Sequence, residues 1–201
     1  MMDSMVSALR SLSGLSDFGY LGLIRWKLVM HAFIDGHSRY VTGFRVSDNN
    51  RASTVFDVFH EAIAEHGVPS RVRGDHGGEN VQVAEFMEAY RGPGRGSYIW
   101  GRYIISSLLF SCPSFYANSL HYGRSVHNTR IERLWYDVTN GFGQKWKNFF
   151  IELETHCHLN AHNPGHIWLL HYLFKDAINE DATDWVRAWN RHVMQLKGEL
   201  H

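Results

Sequence analysis

Two carboxylates in the sequence stand in contexts that suit divalent-metal chemistry. Asp75 follows "SRVRG", a short predicted strand, and precedes the glycine-rich loop "HGGEN"; Glu132 lies in "HNTRIERLW", a predicted helix. Carboxylate oxygens are ligands that Mg²⁺ prefers, with water and substrate phosphate completing its shell. Two such ions can activate a nucleophile and stabilise a leaving oxygen. The alternative is structural, because most charged residues lie on the surface: Asp75 then caps a turn and Glu132 pairs with a neighbouring arginine.

Polar residues near both carboxylates suit phosphate binding. Asn128 precedes Glu132 by four residues and therefore shares its helix face. Glycines in the loop after Asp75 would let a phosphate backbone approach closely. The predicted nucleic-acid contacts are Gly77, Gly78, Asn80, Asn128, Arg130, Arg133 and Lys145.

The elements that must position these residues alternate between strands and helices. "WKLVMHAFID" and "RYVTGFRVS" predict an antiparallel hairpin, and "DNN" then offers a cap for a helix that ends at Gly67. "SRVRGD" and "GSYIW" predict short strands around the helix "VQVAEFMEAYRG". Residues 126–154 predict one long helix or a broken pair, and "GHIWLLHYLFKDAINEDATDWVRAWNRHV" predicts further helix. This order predicts an α/β fold of the ribonuclease H-like kind, a mixed sheet flanked by helices with a helical C-terminal extension.

Composition limits the class of protein. The 201 residues are 44% hydrophobic, which indicates a globular domain, and 20 basic residues balance 20 acidic ones. A neutral chain argues against tight DNA binding by itself, although residues 124–147 carry five basic and two acidic residues. No apolar run reaches the roughly 20 residues of a membrane span. Because the start lacks the pattern of a signal peptide, we expect a nuclear or cytoplasmic protein that is not secreted.

Several motifs in order resemble the integrase core domain of retroelement and transposon integrases, especially a cellular, transposon-derived branch. They are "LIRWKLVMHAFIDGHSRYVTG", "NNRASTVFDVF", "GVPSRVRGDHGGEN", "RGPGRGSYIWG" and "RSVHNTRIERLW". The resemblance implies DNA strand transfer with Mg²⁺ (or Mn²⁺), DNA as partner and a homo-oligomer. It matches Asp75 to the second catalytic carboxylate and Glu132 to the third, which makes both metal ligands. "HNTRIERLW" favours this family over ribonuclease H-type nucleases.

The first catalytic carboxylate of the family has no clear counterpart. In the resembling branch it lies on a strand, eight residues before the Trp of "LIRW", and Phe18 holds that position here. Asp17 is adjacent, but a one-residue slip turns a strand side chain to the other face. Asp35 in "FIDGHSR" is the other weak candidate, at a turn position that favours Asp for local reasons. We interpret residues 1–22 as an atypical segment from a wrong gene start or a lost exon.

An insert interrupts the resembling region, which otherwise divides into a catalytic core at 23–155 and a helical C-terminal extension at 156–201. Between Asp75 and Glu132 lie 56 residues, and removing residues 102–123 leaves 34 and the continuous motif "SYIWGRSVHNTRIERLW". Because Gly-Arg flanks the segment on both sides, we interpret it as a translated, unspliced intron. The alternative is a surface loop inserted before the catalytic helix.

With two of three metal ligands, we expect impaired integrase chemistry; the alternative is a non-catalytic, domesticated or decaying transposon remnant that binds nucleic acid or a protein partner. Two further groups of residues were weighed. The histidines and cysteine of "HCHLNAHNPGHIWLLH" could hold zinc, but no finger spacing is present and a structural role is favoured. Trp168, Trp185 and Trp189 are predicted to serve the core or a partner interface.

Overall fold

A computed structural model of the protein describes residues 5–9, 23–74, 77–100 and 129–191, with residues 5–9 and 129–133 described by their backbone alone. Its strands are β1 (Met5–Leu9), β2 (Val29–Asp35), β3 (Val41–Ser47), β4 (Val72–Gly74) and β5 (Tyr98–Trp100). They form one sheet in the order β3-β2-β1-β4-β5. β1, β2 and β3 pair antiparallel, whereas β4 is parallel to β1 and β5 to β4. This ribonuclease H-like mixed sheet confirms the predicted fold class.

Helices cover both faces of the sheet. They are α1 (Ala52–His66), α2 (Val81–Arg91), α3 (Thr129–Val138), α4 (Gln144–His156) and α5 (Pro164–Arg191). Successive side chains of a strand point to opposite faces. Ala32 and Ile34 therefore join a first core with α3, α4 and α5, while Phe33 joins a second core with α1 and α2.

The predicted hairpin and first helix are confirmed. β2 and β3 pair antiparallel, and α1 ends at His66 before the capping residue Gly67, whose φ of 83° is one that glycine adopts without strain. Before α1, the side-chain oxygen Oδ1 of Asn49 accepts hydrogen bonds from the Arg51 N–H at 3.1 Å and the Thr54 hydroxyl at 2.7 Å. The N-cap itself is Arg51, which makes no side-chain cap hydrogen bond, so the cap predicted in "DNN" is not formed and Asn49 instead orders the turn before α1.

The region predicted as one long helix or a broken pair is α3 and α4 joined by a π-helical segment, Thr139–Gly143. The Thr139 hydroxyl donates to the Trp135 carbonyl at 2.7 Å, and Phe142 is buried. A π segment changes the direction of the following helix relative to a regular one. It therefore sets how α3, which carries Glu132, is oriented relative to α4.

A strand that the sequence patterns did not predict lies in the middle of the sheet. β1, with the sequence "MVSAL", pairs antiparallel with β2 and parallel with β4. Its five residues, apolar except for Ser7, show no alternation and are too few to distinguish a strand from a loop or a helical turn. Phe18, the position that the resemblance implied for a carboxylate, lies outside the described residues.

α5 is an integral part of the domain. Ile167, Leu170, Ile178 and Ala182 are buried in the first core, and the helix runs along β3, a strand at the edge of the sheet. Asn179 and Asn190 form hydrogen bonds to the β3 backbone, and the Trp189 indole donates to the Arg39 carbonyl at 3.2 Å. The predicted helical C-terminal part thus covers an edge that would otherwise expose unpaired backbone groups.

Candidate metal and nucleic-acid site

β4 leads directly into the predicted metal site. The strand ends at Gly74, so Asp75 follows at its carboxyl end, but Asp75 itself lies outside the described residues. The chain is described again from Gly77, passes through a 3₁₀ turn at Gly78–Asn80 and enters α2. The described part of the loop, Gly77–Asn80, thus leads into a helix, as the sequence predicted.

Glu79 is a residue of this loop that sequence reasoning missed. It is 8% exposed, and among the described residues its Oε1 has no hydrogen-bond partner. The carboxylate packs over Gly77, where an added Cβ would overlap it, whereas a Cβ at Gly78 would meet open space. The signal in the sequence is an acidic residue between a glycine pair and a helix, which does not by itself indicate burial.

The three predicted nucleic-acid contacts in this loop therefore differ in position. Gly78 is exposed. Gly77 is covered by the Glu79 carboxylate. Asn80 is fully buried, and its Nδ2 would lie 3.3 Å from a Cβ added at Gly74. Asn80 thus supports β4 from the interior and is not on a surface that DNA can reach, unlike its predicted position.

α3 carries the second predicted carboxylate. Glu132 stands in the first turn of this helix, ahead of Leu134, Trp135 and Val138, which are buried in the first core. Their packing holds α3 against the same face of the sheet as Ala32. The structure does not describe the side chains of Glu132, Arg130 and Arg133. Asn128 and Asp17 lie entirely outside the described residues.

Asp35 serves the hairpin turn. Its Oδ2 accepts hydrogen bonds from the backbone N–H of Ser38 at 2.7 Å and from the Ser38 hydroxyl at 2.5 Å. In the sheet, Asp35 pairs with Met5, which pairs with Val72 at the start of β4. Strands lie about 4.8 Å apart, so roughly 10 Å across strands separates Asp35 from β4. Asp35 is thus level with the start of β4, whereas Asp75 follows its end.

Lys145, the predicted phosphate contact on α4, is engaged in an ion pair. Its ammonium lies 2.9 Å from Asp181 Oδ1 on α5, and the Trp146 indole donates to Asp181 Oδ2 at 2.8 Å. The lysine side chain is 64% exposed, so the pair is weak in water. Asp181 therefore ties α4 to α5 and offsets the charge that Lys145 would offer to a phosphate.

The "LIRW" motif is a structural anchor. Arg25 donates two hydrogen bonds to Glu154 of α4, each at 2.9 Å, and the Trp26 indole donates to the same carboxylate at 3.0 Å. The hydrogen bond from Arg25 holds the pKa of Glu154 below its ordinary value. The Trp26 ring is buried against Phe150, with centroids 5.1 Å apart. These contacts tie the turn before β2 to α4.

The histidines near the start of α5 have structural contacts. His166 Nδ1 accepts a hydrogen bond from the Asn160 N–H at 3.0 Å, and His171 Nε2 lies 2.8 Å from the Trp26 carbonyl. Cys157 is exposed. Within the described ranges, no three side chains of His, Cys, Asp or Glu are placed to hold a metal ion. Asp75 and the side chain of Glu132 are outside those ranges, so this finding does not bear on them.

The predicted role of the tryptophans divides along α5. Trp185 and Trp189 stack with centroids 5.3 Å apart and pack against the first core. Trp168 is 65% exposed and stacks on Tyr172 at 5.4 Å. Two of the three therefore serve the core, and the third lies on the surface.

The sheet order, the helices on both faces and the strand–loop–helix that carries Asp75 define a ribonuclease H-like α/β protein. The sequence profile described as "Integrase core domain" matches residues 17–110 and again residues 105–200. The chain therefore belongs to the integrase core domain family, as the motifs predicted.

Among solved structures, the chain is similar to the HTLV-2 integrase catalytic core domain, a structure described as a complex with magnesium in trimeric form. The two share 15% identity over 85% of each chain, with a TM-score of 0.41. No curated protein matches the sequence. None of the helices in the described part of the chain is long and apolar enough to cross a membrane.

Proposed function

We propose that this protein has the active-site framework of a DNA strand transferase and that its catalysis is impaired. The framework is supported by membership of the integrase core domain family. In this proposal Asp75 and Glu132 hold Mg²⁺ (or Mn²⁺), for which two carboxylates are a suitable but incomplete set of oxygen ligands. When bound, the metal would supply Lewis-acid stabilisation of charge at the phosphodiester.

The observation that carries the impairment is the composition of the central strand. β1 lies between β2 and β4, and its five residues, "MVSAL", include no acidic residue. Asp35 is a poor replacement in this proposal, because its Oδ2 accepts two hydrogen bonds from Ser38 and the residue is level with the start of β4, although its buried Oδ1 has no hydrogen-bond partner among the described residues. In this proposal, a central strand without a carboxylate leaves Asp75 and Glu132 as an incomplete ligand set, with the other candidate, Asp17, outside the described residues.

The remaining residues of the site would bind and orient DNA. Gly78 borders the groove with its exposed backbone, while Gly77 and Asn80 hold the loop in shape beneath it. Arg130 and Arg133 on α3 would contact phosphates, and Asn128 would share the face of Glu132. Lys145 would contribute only after leaving Asp181.

The insert at residues 102–123 bears on the same proposal. The family profile matches the chain in two segments that overlap at residues 105–110, inside the insert. The match thus ends and begins again within the insert, which supports an interruption at this place. Its removal would bring α3 to the family's spacing from Asp75.

A second candidate function is that of a non-catalytic remnant that binds nucleic acid or a protein partner. It is favoured by the absence of acidic residues from β1 and by the balance of 20 basic and 20 acidic residues. Binding to phosphates by such a chain would be weak and would fall steeply with salt.

The deciding experiment is nicking of supercoiled DNA with and without Mg²⁺ or Mn²⁺. It would compare the chain as given, the chain lacking residues 102–123, and Asp75→Asn in both. Asp57→Asn, at an exposed position on α1, is the matched control. Impaired catalysis predicts slow, metal-dependent nicking that Asp75→Asn abolishes and Asp57→Asn does not.

Either of two results would contradict the catalytic proposal. One is the absence of metal-dependent nicking in both chains while DNA is retarded equally with and without metal, which supports the remnant. The other is nicking that survives Asp75→Asn, which would indicate a contaminating nuclease.

A further inference from the structure

One exposed face of α5 changes from apolar to acidic along its length. Its first half exposes four large apolar side chains, which we call the α5 patch: Trp168 at 65%, Leu169 at 47%, Tyr172 at 73% and Leu173 at 55%. Tyr172 follows Trp168 by four residues, and residues four apart lie on the same side of a helix. At the same interval, exposed Asp176 and Glu180 continue this row, which spans about 18 Å. Two aromatic rings and two carboxylates therefore follow each other on one surface.

The α5 patch is preorganised. The rings of Trp168 and Tyr172 stack with centroids 5.4 Å apart and an interplanar angle of 9°. The helix beneath is fixed by its buried side chains and by the hydrogen bond of His171 to the Trp26 carbonyl. A rigid aromatic pair loses little conformational entropy when it is covered. The exposed parts of the four side chains amount to on the order of 500 Å², which is more than scattered surface residues expose and is typical of a binding surface.

We propose that the α5 patch and the two carboxylates beyond it bind a basic amphipathic helix of a different protein. The apolar side chains of that helix would cover the α5 patch, and its lysines or arginines would lie against Asp176 and Glu180. Helices of this kind dock through apolar residues repeated every three to four positions, and flanking charges set their orientation. The proposal specifies the chemistry of the protein partner in the second candidate function, and it rests on that function.

Charge complementarity identifies the partner as basic. Within the part of the chain that the structure describes, neither Asp176 nor Glu180 forms an ion pair. The cation next to them, Lys175, lies 2.9 Å from Asp48 and is already paired. A lysine or arginine of a partner can therefore pair with either carboxylate. Each such exposed pair is weak, but an acidic helix would place like charges together, so the two carboxylates select against it.

Two other occupants fit this surface less well. Single-stranded nucleic acid could stack bases on the exposed rings, but surfaces that bind it combine aromatic residues with basic ones, and here phosphates would lie beside two carboxylates. A second copy of α5 would bring the same carboxylates, and its cations next to the row are engaged: Lys175 pairs with Asp48, and Arg187 pairs with Asp184. A basic amphipathic helix complements both the apolar and the acidic half of the row.

The test is fluorescence anisotropy with two labelled peptides of about 18 residues, which as helices are long enough to span the row. Both peptides carry leucines on one face of their first half. On the same face of the second half, one peptide carries lysines and the other carries glutamates. Each is titrated with the full chain at about 0.15 M salt, which screens long-range attraction. We expect the lysine peptide to bind with a Kd of about 1–100 µM and the glutamate peptide to bind at least about tenfold more weakly.

Three variants locate the binding on α5, and circular dichroism checks their helicity. Asp176→Lys combined with Glu180→Lys should reverse the preference between the two peptides, because attraction and repulsion are exchanged. Tyr172→Ala should weaken binding of the lysine peptide by at least about tenfold. The matched control, Glu85→Lys combined with Glu88→Lys, changes two exposed carboxylates on α2 and should leave the preference unchanged.

Three outcomes would overturn the proposal. In the first, neither peptide binds at concentrations up to about 100 µM. In the second, the α2 variant weakens binding of the lysine peptide as much as the α5 double variant does, which would indicate a general attraction to acidic surfaces. In the third, an oligothymidylate displaces the lysine peptide, which would assign the row to nucleic acid. The peptides measure neither DNA cleavage nor metal binding, so a failed nicking assay and a failed peptide assay are distinguishable.

Discussion

Asn179 of α5 and Val46 of β3 exchange two hydrogen bonds. The Val46 N–H donates to Asn179 Oδ1 at 2.9 Å, and Asn179 Nδ2 donates to the Val46 carbonyl at 2.9 Å. Asn190 makes the same pair with Val41, at 2.8 and 2.9 Å. The two asparagine amides thus take the place of a neighbouring strand at the edge of the sheet, because a side-chain amide offers the same donor and acceptor as a peptide group.

We predict that Asn179→Ala destabilises the protein by about 1–3 kcal/mol, because it leaves the Val46 N–H and carbonyl without partners. Asn190→Ala should act similarly at Val41. Urea denaturation measures the free energy of unfolding. Asn148→Ala on α4, where the exposed side-chain oxygen accepts a hydrogen bond from Gln144, is the control and should change stability by less than about 0.5 kcal/mol. Equal effects at Asn148 and Asn179 would contradict the strand-like role.

Because Glu154 is hydrogen-bonded to Arg25, we predict that the free energy of unfolding falls in acid. Its pKa is lowered by hydrogen bonding to Arg25, so the stabilisation is complete above the ordinary pKa of 4.5 and is lost as pH falls below it towards the lowered value. Glu154→Gln should therefore cost about 1 kcal/mol at pH 7 and much less near pH 3. Urea midpoints at both pH values check this.

The matched control for Glu154 is Glu61→Gln. Glu61 pairs with Arg45, but its side chain is 65% exposed, so we expect little effect at either pH. A Glu154→Gln deficit that persists unchanged at pH 3 would show that packing of the side chain, and not its charge, matters.

In the π-helical segment, we predict that alanine substitutions at two glycines affect stability differently. A Cβ at Gly141 would lie 2.7 Å from the Trp185 Nε1, whereas a Cβ at Gly143 would have its nearest neighbour, the Val138 carbonyl oxygen, at 3.6 Å. Gly141→Ala should cost about 1–3 kcal/mol through overpacking. Gly143→Ala, the control, should be neutral or slightly stabilising. Thermal melting of both variants distinguishes them.

The contact between Gly141 and Trp185 can be isolated by a double-mutant cycle. Trp185→Phe should remove most of the cost of Gly141→Ala, because the smaller ring relieves the overlap. Additive effects would indicate that Gly141 matters for the backbone and not for the tryptophan.

The loop after Asp75 offers a parallel comparison. Gly77→Ala should displace the buried Glu79 carboxylate and destabilise the protein by about 1–2 kcal/mol, whereas Gly78→Ala should be tolerated, since its added Cβ meets open space. Chemical denaturation measures both. In a Glu79→Ala background the Gly77→Ala cost should disappear, and its persistence would contradict the proposed packing.

The sequence predicted local elements well and long-range placement poorly. The hairpin, α1 with its terminal Gly67 and the helix pair around Phe142 follow from periodicity and glycine positions. β1 was missed because its partners, β2 and β4, are chosen by tertiary pairing that a five-residue pattern does not encode. The burial of individual residues could not be predicted either. From the sequence, Asn80 is a polar loop residue, and it is buried only because β4 and α2 pack around it.

In the candidate site, too, local features could be predicted from the sequence and long-range contacts could not. Motifs predict Asp75 and Glu132 as the metal ligands, with 56 residues between them in the chain. The ion pair between Lys145 and Asp181 joins residues on two helices, so no local pattern could indicate that Lys145 is already engaged. Asp35, by contrast, was predicted to be either a turn residue or a ligand, and its bonds to Ser38 are local enough to have favoured the turn.

The asparagine contacts also impose an order of events during synthesis. Val41 leaves the ribosome early, but its partner Asn190 lies 149 residues later. At about 5–20 residues per second, the outer edge of β3 stays uncovered for on the order of ten seconds in each new chain. A nascent or truncated chain that lacks α5 would therefore present an unpaired strand to its neighbours on a polysome. Only when α5 has been synthesised and has packed on β3 is the edge of this strand protected from aggregation with a strand of another chain.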